Sequence, residues 1–154
     1  SRKLIISVQI GSGKTSVQTA VLNWDNALLE RQLVLLLAED AFKQQRWLNN
    51  FAALESQVDF LVLYGSILYS SKEANDVDIL AIVSRKDKFI AIERLVQKIQ
   101  KTQEKKIHLV SVTPTELSQE LTKQNRAFIE AFKKGVILFG QESFIAYIRG
   151  RSQR

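Results

Sequence analysis

An α/β (α+β) domain, in which a mixed β-sheet is flanked by helices, is the fold that the sequence predicts. Short apolar runs typical of strands alternate along the chain with longer segments whose apolar residues recur at helical spacing. The 154 residues are 45% hydrophobic with six Gly and one Pro, which excludes a disordered tail and a fibrous repeat. This length suits one compact domain, which buries roughly two-thirds of the surface that its unfolded chain exposes.

Residue composition excludes several classes of protein. The chain has no Cys, which rules out disulfides, thiolate metal sites and cysteine nucleophiles, and its single His argues against a His-rich zinc site. The longest apolar run, residues 33–38, is far shorter than the roughly 20 residues that span a bilayer. We therefore expect a soluble, cytoplasmic protein with no membrane partner. Because the sequence has no Met, we expect it to begin inside a longer gene product or after processing.

Positive charge is concentrated in the second half of the chain. The 22 Lys and Arg residues and 16 Asp and Glu residues give a net charge of +6, with −1 over residues 1–77 and +7 over residues 78–154. Such asymmetry indicates either a polyanionic partner, bound through phosphate contacts and counterion release, or a solvated basic surface that aids solubility. Charge alone does not separate these two interpretations.

Residues 1–25 are predicted to contain a β-hairpin. A strand-like run over residues 3–10 leads into Gly-Ser-Gly-Lys, which has the look of a phosphate-binding loop. Such a loop needs a Gly five positions before its Gly-Lys pair, and this chain has Val8 there. The residues that follow alternate at period two instead of opening a helix. Two strands around a turn are therefore the better interpretation.

A long helix is predicted over residues of about 27–55. Three side chains before it suit a helix N-cap: Asn23, Asp25 and Asn26. Its apolar positions are spaced for one buried stripe: Leu29, Leu33, Leu37, Ala41, Leu48 and Phe51. Trp47 and Phe42 are expected to pack in the core or in an interface and not to stack on nucleic-acid bases.

Two apolar strands follow the long helix. The run over residues 58–64 is apolar and β-rich, as in a strand covered on both faces, and Gly65-Ser66 ends it. The run over residues 76–83 begins with two carboxylates and becomes wholly apolar.

The last part of the chain continues the alternation of helices and strands. Thr113 and Glu116 form a capping box, and Gly135 is a natural C-cap. The predicted elements are a helix over residues 88–103, a strand over Lys106–Val112, helices through residue 134, a strand over Val136–Phe139 and a helix over residues 142–149.

Four residues carry the clearest chemistry: Gly65, Ser66, Asp76 and Asp78. A Gly-Ser pair at the exit of a buried strand lets the backbone turn sharply and offers N–H groups and a hydroxyl to an anion. The period of two places both Asp carboxylates on the same face of a strand, about 7 Å apart along the backbone, where both can reach one divalent cation. Oxygen-only ligands favour Mg²⁺ or Mn²⁺ over zinc. The structural alternative is that the Asp residues cap a loop and Ser66 caps a helix.

This combination of residues resembles the signature of the nucleotidyltransferase superfamily related to DNA polymerase beta. A strand ends in Gly-Ser, and after nine intervening residues Asp-x-Asp opens a second apolar strand. Residues 61–66 and 76–80 look like the minimal nucleotidyltransferases of archaea and bacteria, and residues 128–140 are similar to their closing helix and strand. The resemblance covers roughly residues 45–148 and implies a nucleotidyltransferase fold.

The resemblance implies the transfer of a nucleoside monophosphate from an NTP to an acceptor hydroxyl, with two metal ions and pyrophosphate as the leaving group. Carried over by position, Asp76 and Asp78 would be the catalytic residues that bind Mg²⁺ or Mn²⁺, and Gly65 and Ser66 would hold the terminal phosphates. Lys72 and the basic second half would add positive field near the triphosphate.

The chain departs from the family at the third metal-binding carboxylate. The resemblance places that carboxylate on the strand Lys106–Val112, which contains no acid. His108 is the candidate for this third-site position, although a neutral imidazole is a poor substitute for a carboxylate on Mg²⁺. The alternative is a partly buried strand histidine with a backbone partner. A carboxylate from elsewhere, such as Glu104 or Glu116, would complete the site if it approached the Asp pair.

Three functions remain open from the sequence. The first is an NTP-dependent nucleotidyltransferase that modifies a protein or small-molecule hydroxyl. The second is a catalytically degenerate nucleotidyltransferase that acts as an antitoxin-like or DNA-associated regulatory binding protein. The third is a nucleic-acid binder that uses the basic face of residues 85–106.

The amino-terminal hairpin indicates partners outside the domain. In some archaeal proteins a nucleotidyltransferase domain follows a winged-helix DNA-binding module, and residues 3–24 look like the wing of such a module without its recognition helices. Residues 1–25 and 26–154 would then be two units, with DNA as a partner through the missing module. The alternative is a hairpin that packs on the domain or on a second copy. Apolar residues on the hairpin and the first helix also favour a homodimer.

Overall fold

The computed structural model of the protein describes residues 3–152. In chain order its elements are β1 (Ile5–Ile10), β2 (Val17–Leu22), α1 (Leu29–Phe42), α2 (Gln45–Phe51), β3 (Phe60–Tyr64), β4 (Asp76–Ile82), α3 (Phe89–Gln100), β5 (Lys106–Val112), α4 (Pro114–Thr122), α5 (Arg126–Lys134), β6 (Val136–Phe139) and α6 (Gln141–Ser152). Short 3-10 turns lie at Gly13–Thr15, Ala52–Leu54, Ser66–Leu68 and Lys86–Lys88. No helix within residues 3–152 is long and apolar enough to cross a membrane.

A mixed four-stranded sheet lies at the centre, with strand order β5-β4-β3-β6. β3 pairs antiparallel with both β4 and β6, whereas β4 and β5 run parallel. A parallel pair needs a crossover connection, which α3 supplies here. This architecture confirms the predicted fold class, and β4, β5 and β6 all begin at the predicted residue.

Alternation along the strands builds one apolar core on each face of the sheet. On the face that we call the α3 face, Leu61 and Leu63 pack with residues of α2 and α3. On the opposite face, called the α5 face, Phe60 and Val62 pack with residues of α1, α4, α5 and α6. All four of these β3 residues are buried, so the prediction that this strand is covered on both sides is confirmed.

The single long helix predicted over residues 27–55 is wrong, because the chain forms two helices. Gln44 leaves the helical region, with φ −104° and ψ 41°, and separates α1 from α2. The apolar side of α1 packs on the α5 face, whereas Trp47 and Phe51 of α2 lie in the core of the α3 face. One straight helix cannot cover both faces, so the chain bends where it passes from one to the other. Phe42 precedes the bend and is 69% exposed.

Strands β1 and β2 form the predicted hairpin, paired antiparallel from Ile5 with Leu22 to Ile10 with Val17. A strand after the Gly-rich turn rules out a phosphate-binding loop, which needs a helix there. The buried Asn23 side chain donates a hydrogen bond to the Lys3 carbonyl at 2.8 Å. Most hairpin side chains are exposed. The wing-like role of the hairpin, the DNA partner and the homodimer stay predictions.

The predicted capping box of α4 and the predicted end of α5 are both confirmed. The Thr113 hydroxyl accepts a hydrogen bond from the Glu116 N–H, and the Glu116 carboxylate accepts one from the Thr113 N–H, which completes the capping box of α4. Gly135 ends α5 as predicted, but with an extended backbone (φ −71°, ψ 161°) and not in the left-handed region that a glycine C-cap often adopts.

Candidate functional site

Asp76 and Asp78 lie at the start of β4, where the strand enters the sheet. Val77 and Ile79 point into the core of the α3 face, so the two Asp residues, with the opposite parity, share the α5 face. Their side chains are partly exposed, 42% for Asp76 and 28% for Asp78. As predicted, the two carboxylates lie on the same face of the strand.

Gly65 brings the end of β3 against Asp78. Its backbone has φ 84° and ψ −165°, a region that is essentially restricted to glycine. A Cβ atom at this position would overlap Oδ2 of Asp78. The Gly65 backbone can therefore lie this close to the Asp78 carboxylate only because glycine has no side chain.

Ser66 follows Gly65 at the start of a 3-10 turn and not of an α-helix. The turn is three residues long, and the Ser66 carbonyl accepts hydrogen bonds from the N–H groups of Tyr69 and Ser70. Ser66 is exposed and directly follows Gly65, the residue whose backbone lies against Asp78.

His108 is brought to the Asp pair by the parallel register of β4 and β5. It pairs with Asp78, and its Nδ1 atom lies 3.3 Å from Oδ1 of Asp78 and 4.0 Å from Oδ2 of Asp76. The side chain is 43% exposed. His108 therefore occupies a position beside both carboxylates, and the partner of this partly buried strand histidine is a carboxylate and not a backbone group.

Tyr64 is a neighbour of the site that the sequence reasoning missed. It pairs with Asp78 across β3 and β4. Burial raises the pKa of the Tyr64 hydroxyl, and the negative charge of Asp78 raises it further. Its place immediately before Gly65 could have marked Tyr64 as a candidate neighbour of the site. The proximity of Tyr64 to Asp78, however, depends on the strand register.

Neither proposed replacement for the third carboxylate forms a metal-binding group with the Asp pair in the described part of the chain. Glu116 belongs to the capping box at the far end of β5 and pairs with Lys86, and these contacts hold its pKa at about 2. Glu104 is exposed in the turn before β5. Within residues 3–152, no group of three or more His, Asp or Glu side chains is arranged to hold a metal ion. Lys72 is exposed in the segment between β3 and β4.

The donor set fits a divalent cation that is shared with a phosphorylated ligand. Mg²⁺ is commonly held by one or two carboxylates, with substrate phosphates and water completing its shell. Asp76 and Asp78 offer two carboxylates, and the Gly65 backbone lies against one of them where a side chain would have blocked the space. The described residues supply only two carboxylates, and water or a phosphate-bearing ligand would complete the shell of a bound cation.

A comparison with known protein families assigns the chain to one of them. Residues 47–141 match the family described as "Polymerase beta, Nucleotidyltransferase". The match spans more than half of the chain and includes the Gly-Ser pair, both Asp residues and His108. The chain belongs to this nucleotidyltransferase family, and its mixed sheet with flanking helices is a nucleotidyltransferase fold. Searches of the curated proteins and of the solved structures found no match to this chain.

Proposed function

We propose that this domain transfers a nucleoside monophosphate from an NTP to a hydroxyl group of a protein or a small molecule, with Mg²⁺ or Mn²⁺. The observation that carries the proposal is the approach of Gly65 to Asp78 beside a second carboxylate on the same strand face, in a chain that belongs to a nucleotidyltransferase family. The family accounts for the general reaction. The acceptor and the cation are our inference.

Each residue has a distinct role in this proposal. Asp76 and Asp78 hold the cation, which supplies positive charge to the phosphate oxygens as negative charge grows on them. Gly65 and Ser66 hold the terminal phosphates, through backbone N–H groups and the Ser66 hydroxyl. His108 stands at the third-site position and contacts both carboxylates.

The reaction balances without any further co-reactant. The acceptor oxygen forms a bond to the α-phosphorus, and the bond between that phosphorus and the oxygen bridging to the β-phosphate breaks. Pyrophosphate leaves, and the acceptor proton goes to water. An α-phosphate label is therefore expected on the acceptor, whereas a γ-phosphate label is expected in pyrophosphate.

The test is titration of the protein with ATP and with GTP, each with and without Mg²⁺. We expect cation-dependent binding that the Asp76→Ala/Asp78→Ala double variant loses. Asp87→Ala is the matched control, because Asp87 is an exposed carboxylate that pairs with Arg85 and lies at the opposite end of β4. Unchanged binding heats in the double variant would exclude the proposed site.

A second experiment separates catalysis from binding. The protein is incubated with α-labelled or γ-labelled ATP and GTP and a cell extract, and acceptors are resolved by electrophoresis. Label from the α-position alone on an acceptor supports nucleotidyl transfer, and label from the γ-position indicates a different reaction.

A catalytically degenerate regulator is the second candidate, and one observation favours it. The resemblance implies a third carboxylate on β5, but β5 has no acid, and its residue paired with Asp78 is His108. In that case the domain acts as an antitoxin-like or DNA-associated binding protein. Nucleotide binding without labelling of any acceptor is the result that this candidate predicts.

A further inference from the structure

His108 brings a nitrogen donor to a candidate site whose other side chains offer only oxygen. Its Nδ1 atom lies 3.3 Å from Oδ1 of Asp78 and 4.0 Å from Oδ2 of Asp76. Within residues 3–152 the imidazole makes no hydrogen bond, so these two contacts are its polar contacts there. A ring nitrogen therefore faces two carboxylate oxygens without being bonded to either.

The two separations suit donor atoms that share one metal ion. Nitrogen and oxygen ligands at about 2.0–2.2 Å from a metal are about 3.0–3.4 Å apart when adjacent and about 4.2 Å apart when opposite. The distance from Nδ1 to Asp78 falls in the first range, and the distance to Asp76 lies just below the second value. The imidazole is thus placed as a ligand would be, beside one carboxylate and across from the other.

Strand pairing fixes the nitrogen donor beside Asp78. His108 is the partner of Asp78 in the parallel register of β4 and β5. Val77 and Ile79, the chain neighbours of Asp78, are fully buried, and Ile107 next to His108 is buried as well. Donors carried by strands that are anchored in the core are held more precisely than donors on loops.

Asp76 is the donor of this set that the fold holds less closely. Within residues 3–152 no group of three or more His, Asp or Glu side chains forms a closed metal cluster, and the wide separation in this set is the one to Asp76. The Asp76 side chain is 42% exposed, whereas Asp78 is 28% exposed and lies against Gly65. Asp78 and His108 are therefore the donor pair that the fold brings together, and Asp76 is the third donor.

An imidazole ligand changes which cation such a site prefers. Mg²⁺ is a hard cation that is bound by oxygen ligands, whereas imidazole suits transition metals. At a site of nitrogen and oxygen ligands, affinity rises from Mn²⁺ through Fe²⁺ to Co²⁺. A nitrogen donor beside two carboxylates therefore adds little to the binding of Mg²⁺ and more to the binding of Mn²⁺ and Co²⁺.

We infer that His108 is a metal ligand that makes this site select a divalent transition metal, such as Mn²⁺, over Mg²⁺. The inference rests on the proposed function, because it concerns the cation held by the same two carboxylates. It also gives the acid-free strand β5 a consequence for specificity. The histidine keeps three donors at the site and changes the kind of cation that they hold. The opposite interpretation is that the imidazole takes the place of the cation and excludes it.

The first test is calorimetric titration of the full chain, without a histidine tag, with Mg²⁺, Mn²⁺ or Co²⁺ alone. We expect Mn²⁺ to bind at least about tenfold more tightly than Mg²⁺. His108→Asn is expected to weaken the binding of Mg²⁺ by less than about twofold, of Mn²⁺ by about fivefold or more, and of Co²⁺ by more than that.

Three calorimetric results overturn the inference. An equal loss for all three cations in His108→Asn means that His108 only positions the carboxylates. Tighter binding in His108→Asn means that the imidazole excludes the cation. The third result is the absence of saturable Mn²⁺ binding to the wild type at about 1 mM. His108→Gln serves in the same way if His108→Asn does not fold.

The second test detects the bond between the cation and nitrogen and does not depend on activity. The chain has a single His, so an imidazole nitrogen coupling on bound Mn²⁺, measured by pulsed electron paramagnetic resonance, is assigned to His108 without ambiguity. We expect this coupling in the wild type and its loss in His108→Asn. Bound Mn²⁺ without the coupling overturns the inference.

The Asp76→Ala/Asp78→Ala double variant separates a failure of this inference from a failure of the proposed function. Cation binding that persists unchanged in the double variant excludes the shared site, and both fail. Cation binding that the double variant loses, but that shows no imidazole coupling in the wild type, overturns the inference and leaves the proposed function standing.

Discussion

Replacing Gly65 by Ala is expected to strain the candidate site through one specific atom pair. The new Cβ would overlap Oδ2 of Asp78, and the backbone there has a positive φ of 84°. A non-glycine residue held in such a region costs about 1–3 kcal/mol. Moving the carboxylate away from its rotamer costs about 0.5–1.5 kcal/mol more. We therefore expect Gly65→Ala to lower the free energy of unfolding by about 2–4 kcal/mol.

A double-mutant cycle separates the two contributions to this loss. In the Asp78→Ala background the carboxylate is gone, and the nearest remaining atom of residue 78 is its Cβ, at 3.6 Å, which is an ordinary contact. There Gly65→Ala is expected to cost only the backbone strain, so the coupling energy is about 1 kcal/mol. Urea denaturation of the wild type, the two single variants and the double variant measures this coupling energy. The four unfolding curves are fitted with a common dependence of the free energy on urea concentration.

Gly13→Ala is the matched control for the backbone part. Gly13 also has a positive φ, 68°, but a Cβ there would meet no atom within 4 Å. We expect a cost of about 1–2 kcal/mol that does not change in the Asp78→Ala background. The reasoning is refuted if Gly65→Ala costs the same with and without Asp78.

Three further predictions concern the third-site position and the start of α4. His108→Asp supplies a carboxylate within about 4 Å of the pair, where a unit charge contributes about 1–4 kcal/mol, so calorimetry should show at least about fivefold tighter Mg²⁺ binding than in His108→Asn. Thr113→Ala should lower the free energy of unfolding in urea by about 1 kcal/mol. Folding lowers the pKa of Glu116 from 4.5 to about 2, so the ionised carboxylate stabilises the fold above pH 4.5. The wild type should therefore have a higher Tm than Glu116→Gln at neutral pH, and this difference should vanish as the pH falls from 4.5 to 2.

Features set by local sequence were predictable, and the site illustrates why. The two Asp carboxylates share a face because side chains alternate along any strand, and no tertiary information is needed for that. The capping box at Thr113 likewise depends on residues three positions apart. Gly135 was placed correctly as a helix end, and its backbone is extended there because the chain passes directly into β6.

Features that depend on which surfaces meet were not predictable from local patterns. The apolar residues of α1 and α2 recur at the same helical spacing, so the local sequence does not indicate that the two helices cover opposite faces of the sheet. It also does not indicate that the chain bends at Gln44. The contacts of His108 and Tyr64 with Asp78 follow from strand register, which a single sequence does not fix.

The mixed direction of the sheet also has a consequence for the order of folding. Gly65 and Asp78 are 13 residues apart and meet through an antiparallel pair, whereas His108 is 30 residues beyond Asp78 and meets it only after the α3 crossover. Loop closure is slower for the longer separation, so parallel pairing tends to form late. We expect variants in β3 and β4 to slow refolding, and variants in β5 mainly to speed unfolding. His108 would then be the last residue of the candidate site to be assembled.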